Sequence, residues 1–134
     1  MDRKIGALTL RELMGFFLLI VLLLAGLLSS WYGGRQHREV SRQLDSSAWQ
    51  ALSGEWTAAR EGAEDARQQW ESSRQLWASL ADHTPMEEID ALFGELTIYA
   101  AAGERTDFAH TCAALSRRME AMANAQQLSW WNVL

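Results

Sequence analysis

The sequence predicts an all-α protein: an N-terminal transmembrane helix followed by a small antiparallel helical bundle of about four helices. Three observations predict it. Leu13 to Tyr32 contains no charged residue. The rest of the chain places apolar and small residues three and four apart, the period of a helix buried along one stripe. No alternating Val/Ile/Thr run marks a strand, and proline occurs once, at Pro85. The expected organisation is a tail over 1–12, a transmembrane anchor over 13–32 and a helical bundle domain over 33–134.

The anchor is the stretch LMGFFLLIVLLLAGLLSSWY. As a helix it spans about 30 Å, the thickness of a bilayer's hydrocarbon core. Trp31 and Tyr32 stand where an interfacial aromatic belt would sit. A cleaved signal peptide needs a shorter apolar core and small residues at the cut; here Leu28, Trp31 and Tyr32 crowd that region. Arg3, Lys4 and Arg11 precede the span, and Arg35, Arg38 and Arg42 follow it, so the charges on either side barely set its orientation. A short tail before a single span places the folded domain outside the cytoplasm, which is the orientation expected.

Helix by helix, Gln36 to Leu52 carries Val40, Leu44, Ala48 and Leu52 on one stripe, and Ser53-Gly54-Glu55 ends it. From Trp56 to Ala81 the inner positions are Trp56, Ala59, Ala63, Ala66, Trp70, Ser73, Trp77 and Leu80. That strict three-four alternation makes a narrow seam in which bulky indoles face small residues. A third helix over 85–102 turns Ile89, Leu92, Phe93, Leu96 and Tyr99 inward; a fourth, over 106–124, turns Phe108, Cys112, Leu115, Met119 and Met122 inward. Two bends resemble each other: ALSGEWTAA at 51–59 and AAAGERTDF at 100–108 each put a small residue, Gly and Glu between helices. Two such hairpins joined at Asp82–Pro85 make an up-and-down four-helix arrangement. A buried Trp removes roughly 150–250 Å² from water, on the order of 4–6 kcal/mol before entropy costs, so packing is a sufficient role for the tryptophans.

Composition narrows the function. Lys and Arg number 12 against 17 Asp and Glu, so no basic face is expected to neutralise the phosphates of nucleic acid. Cys112 is the only cysteine, which excludes an intrachain disulfide and a cysteine zinc cluster. The densest polar stretch, LADHTPMEEIDALF at 80–93, holds Asp82, His83, Glu87, Glu88 and Asp90. Thr84, Pro85 and Glu87 form a capping box, and Glu88 and Asp90 suit the positive end of a helix. Asp82 and His83 keep no such job, but helical spacing brings only Glu87 and Asp90 together, and a metal needs two or three converging ligands. His110 and Cys112, two apart on a helix, do not face each other. No catalytic group, metal or cofactor is expected.

The landmarks, taken in order, resemble a bacterial family, domain of unknown function family 4363. They are the Gly54-Glu55-Trp56 bend, Trp70 and Trp77 seven apart, Leu80-Ala81-Asp82-His83, Glu88-Ile89-Asp90, Tyr99, and the ending Ser129-Trp130-Trp131-Asn132-Val133-Leu134. Ala81 departs from the family's apolar β-branched residue, and Thr84-Pro85-Met86 is a local variation. The resemblance implies a single-span protein of the Firmicutes-like cell envelope with no assigned activity. It also implies a small multi-span membrane family as genomic neighbour and hence as a partner to consider. Its motif residues, taken as candidate interaction positions, are Trp56, Trp70, Trp77, Asp82, His83, Tyr99, Trp130 and Trp131.

The leading expectation is a non-enzymatic, membrane-anchored interaction module at the bacterial cell membrane. It would hold or regulate a multi-span membrane protein, or pair with itself as a homo-oligomer. The alternative is an extracytoplasmic sensor with a small ligand between its helices, in a closed pocket lined by Trp70, Trp77 and Tyr99. A metal-assisted hydrolase using Asp82, His83 and Glu87 ranks last.

Overall fold

The computed structural model describes residues 9–77 and 84–131. Four helices follow in order: α1 (Leu10–Leu52), α2 (Trp56–Trp77), α3 (Thr84–Ala102) and α4 (Arg105–Trp131). No strand occurs among the described residues. The chain divides into two compact units, Met1–Gly33 and Gly34–Leu134.

In the first unit, the described residues are the start of α1. Thr9 opens the helix: its carbonyl accepts from the Glu12 and Leu13 amides, while its own N–H donates to Glu12 Oε2 at 3.3 Å. The Glu12 carboxylate thus supplies the back-reaching half of a Thr-x-x-Glu capping box. Leu13 to Leu28 expose their large apolar side chains, and α1 is the helix long and apolar enough to cross a membrane or to act as a signal sequence. Helix α1 includes Gly33 and Gly34, where the sequence predicts two separate elements. A glycine in a helix interior costs only about 1 kcal/mol.

The second unit is the bundle. Its core gathers Val40 and Leu44 from α1, Ala59, Ala63, Ala66 and Trp70 from α2, Met86, Ile89, Phe93 and Leu96 from α3, and Phe108, Cys112, Leu115 and Met119 from α4. The seam expected on α2 is present from Ala59 to Ser73, with Trp56 half-buried at its head; the Trp77 side chain and Leu80 lie outside the described residues. Leu92, Tyr99 and Met122 pack at the core's margin. Leu52 departs from expectation. It continues the α1 stripe in sequence yet is 59 % exposed, because α1 ends there and the chain turns away before any neighbour covers it. Helix α4 runs to Trp131 rather than stopping near Asn124, since Ala125-Gln126-Gln127-Leu128 contains no breaker.

Both look-alike bends are built identically. Gly54 (φ 88°) and Gly103 (φ 71°) take the left-handed conformation. The next residue's amide reaches back five positions, Glu55 N–H to Gln50 O and Glu104 N–H to Tyr99 O, the Schellman closure of a helix. The same glutamates then start the following helices, their carbonyls accepting from Ala59 and Phe108. One Gly-Glu pair thus ends one helix and begins the next, which keeps each hairpin short and antiparallel.

Contacts between neighbours close the ring of four. Ser41 Oγ and Ser116 Oγ are 2.7 Å apart between α1 and α4; Gln69 Nε2 donates to Gln43 Oε1 at 3.1 Å between α2 and α1. The α1–α2 approach is tight enough that a Cβ on Gly62 would lie 2.5 Å from Ser47 Oγ. That hydroxyl is buried with no hydrogen-bond partner among the described residues. Ser47→Ala is therefore expected to be neutral or stabilising, since it removes an unmatched buried polar group. Gly62→Ala alone gains about 1 kcal/mol of helix propensity but loses it to the clash, whereas the double variant keeps the gain. A double-mutant cycle by denaturant titration of the full chain in detergent checks this non-additivity.

Candidate functional site

The positions singled out in the sequence fall into distinct places. Asp82 and His83 lie outside the described residues, as do the side chains of Trp77, Trp130 and Trp131. Trp70 is 1 % exposed. Its indole N–H donates to Asp90 Oδ1 at 2.8 Å, and Arg74 Nη2 lies 2.9 Å from the other carboxylate oxygen. Asp90 thus joins α2 to α3 by satisfying the one polar atom of a buried indole, a role that its place near the acidic start of α3 conceals. Tyr99 lies nine residues along α3 from Asp90, about 13 Å at the rise of a helix, so it shares no layer with Trp70.

The imidazole of His37 completes the Trp70 layer, its ring centroid 6.1 Å from the indole. It is buried, and burial pulls its pKa below the ordinary 6.5. The sign of the linkage follows. A histidine held neutral in the folded state binds fewer protons than in the unfolded chain below pH 6.5, so stability falls as pH drops from there through the depressed folded value. The slope is at most about 1.4 kcal/mol per pH unit for one group. Denaturant midpoints between neutrality and pH 5 should fall in the native chain and fall less in His37→Gln; equal slopes would remove His37 from this role.

His110 is exposed and Cys112 buried, on different sides of α4. Burial, with a smaller contribution from Asp45, pushes the Cys112 thiol up to about 12, which leaves it without thiolate character at neutral pH. Among the described residues, no group of three or more His, Cys, Asp or Glu could hold a metal ion.

What the sequence did not disclose is an apolar groove between α1 and α4. It has a volume of about 350 Å³ and is lined by Asp45, Ala48, Trp49, Leu52, Thr106, Ala109, His110 and Ala113. Trp49 is 71 % exposed, so the expectation that the tryptophans serve as packing does not hold for it. It stands three residues from exposed Leu52, on the same helix face. The alternation of Trp49 with buried Ala48 and Ala51 was the available signal: an indole flanked by two inward alanines has to point away from the core. The floor, Ala109 with Ala48, is small and flat, and Asp45 and His110 supply the polar edge.

No curated protein matches the sequence, and no solved structure matches the chain. The family model described as a domain of unknown function, DUF4363, matches residues 36–133, the whole bundle unit but for its first two residues and its last one. The chain belongs to the DUF4363 family.

Proposed function

We propose that this chain is a non-enzymatic interaction module, anchored in the bacterial cell membrane by the first half of α1. In this reading its bundle lies outside the cytoplasm and holds or regulates a multi-span membrane protein. The observation that carries the reading is the exposed Trp49–Leu52 pair beside the α1–α4 groove. A soluble domain rarely leaves an indole uncovered next to an apolar trough unless something seats there. Tryptophan is also the residue most enriched at the energetic centres of protein interfaces. The trough suits an amphipathic helix laid across it, with the indole as anchor. Chemical crosslinking in intact membranes followed by capture of the full chain tests the reading. Recovery of a covalent adduct with a different membrane protein is the expected result; a chain recovered only with itself would replace the partner by a homo-oligomer.

The location is testable with the same protein. Because Cys112 is buried and its thiol stays protonated, a cysteine introduced at Ser53, in the exposed bend, is the one reactive thiol. A membrane-impermeant maleimide added to intact cells is expected to label Ser53→Cys; labelling only after lysis would place the bundle in the cytoplasm.

A further inference from the structure

The helices of the bundle unit do not all stop at the same height. Helices α1 and α4 run antiparallel, with Ser41 Oγ 2.7 Å from Ser116 Oγ. Seven residues back from Ser41 lies Gly34, where the bundle unit begins, and seven forward from Ser116 lies Ala123, which is buried. Gln69 donates to Gln43 at 3.1 Å, so Trp77, the last residue of α2, stands close to the level of Arg35. Trp70 bonds to Asp90, so α3, which begins at Thr84, starts near the level where α2 ends. Helix α4 runs on to Trp131. Its residues after Ala123 project about 12 Å past the level of Gly34, at 1.5 Å per residue.

The projecting piece also differs in chemistry. No Asp, Glu, Lys or Arg occurs from Ala121 to Leu134, and Trp130 stands beside Trp131 in the sequence. Asn124, Ala125 and Leu128 are exposed, the leucine by 65 %. A two-turn overhang draws little stability from its own hydrogen bonds, because a helix is held chiefly by a covered apolar face. The nearest cover is lipid. With Leu13 to Tyr32 as the anchor, Gly34 follows two residues after the span and falls within the headgroup layer, which is roughly 5–7 Å deep on each side. A bundle tethered there cannot project about 12 Å beyond its tether without entering lipid. Tryptophan is the residue type that settles at this depth, with an apolar ring and an N–H that stays wet.

We propose that the last two turns of α4, Asn124 to Trp131, are a second membrane contact, seated in the headgroup layer of the bilayer that holds the anchor. The partner is the lipid surface, met through apolar side chains and not through charge. The inference rests on the reading of α1 as an anchor and deepens it. One attachment leaves a bundle free to swing; a second fixes its attitude, and with it the direction in which the α1–α4 groove faces.

Depth-dependent fluorescence quenching of the full chain in phosphatidylcholine vesicles tests it. A nitrobenzoxadiazole dye is placed on one introduced cysteine at a time: Val21→Cys in the anchor, Leu128→Cys in α4 and Ser53→Cys in the first bend. Cys112 is buried and stays unlabelled, and Leu128 is exposed, so its replacement leaves the bundle intact. A nitroxide in mid-acyl chain is expected to quench position 21. A nitroxide on the lipid headgroup is expected to remove most of the emission at position 128, and neither should affect position 53. Added phosphatidylglycerol should change nothing, because the segment carries no charge. Quenching at position 21 with position 128 behaving like position 53 would overturn this inference and leave the anchor standing. An unquenched position 21 would overturn both. Blue-shifted emission at position 128 that neither nitroxide quenches would mean that a second copy of the chain covers the segment. Quenching at position 128 only with phosphatidylglycerol would mean that charges elsewhere hold it. Either of these results would also overturn the proposal.

Discussion

Trp70→Ala is expected to cost about 3–5 kcal/mol, the range for removing a fully buried tryptophan. For a domain whose total stability is about 5–15 kcal/mol, that brings the bundle close to unfolding. Two losses combine in it. The cavity is lined by residues held in place by both hairpins, so it cannot collapse cheaply. Asp90 also loses the indole N–H at 2.8 Å and retains Arg74 alone. Trp70→Phe separates these terms, because the ring body stays while the N–H goes. Its cost should be about 1–3 kcal/mol, the range for a hydrogen bond to a charged acceptor. In a cycle with Asp90→Ala the coupling should be about 1–2 kcal/mol. Denaturant titration of the full chain followed by circular dichroism gives all three values. A Trp70→Phe cost equal to that of the same replacement in an Asp90→Ala background would show that the bond contributes nothing.

The paired change Trp49→Ser with Leu52→Ser has the opposite profile. Both side chains are exposed, so stability should move by no more than about 0.5 kcal/mol. Partner capture should fall by about 30-fold or more, since interface tryptophans at energetic centres are worth about 2 kcal/mol or above. Ile98→Ser on α3 is the matched control: Ile98 is as exposed, at 66 %, but lies away from the groove and should leave capture unchanged. The same residue type thus does two jobs in one chain, structural at position 70 and exposed at position 49, and the two variants should separate stability from binding cleanly.

Much of this architecture was legible in the sequence because helix packing is a periodic signal. Ala59, Ala63, Ala66, Trp70 and Ser73 fall at three- and four-residue steps, and nothing but a stripe against neighbouring helices accommodates that pattern. The Gly-Glu bends were legible because a left-handed residue at a helix end is a local requirement that glycine meets best. Leu52 was misjudged because periodicity says which face a residue occupies and not whether the neighbouring helix still reaches that height. Asp90 was only half understood for a related reason. Its place near the start of α3 is local, but its bond to Trp70 depends on which helix lies alongside, twenty residues away in sequence. Trp49 was miscast because composition says nothing of which way an individual indole faces. The Thr9-Leu10-Arg11-Glu12 cap was in plain sight as a Thr-x-x-Glu pattern and needed only to be sought ahead of the apolar run.

The polar cluster at 80–93 resolves along the same line. Glu88 pairs with Arg118 on α4, and Asp90 with Trp70 and Arg74. Two of its carboxylates therefore tie helices together, and a helix-joining role accounts for them without any converging chemistry.

On the function proposed above, the α1–α4 face, marked by an uncovered indole, is where this bundle meets another protein. A photo-crosslinking amino acid placed at position 49 of the full chain in living cells tests it most directly, with the same probe at position 98 as reference. A discrete adduct is expected from position 49, larger than the chain's own dimer, and none from position 98. Equal yields from the two positions, or irradiation that leaves position 49 unmodified, would contradict it.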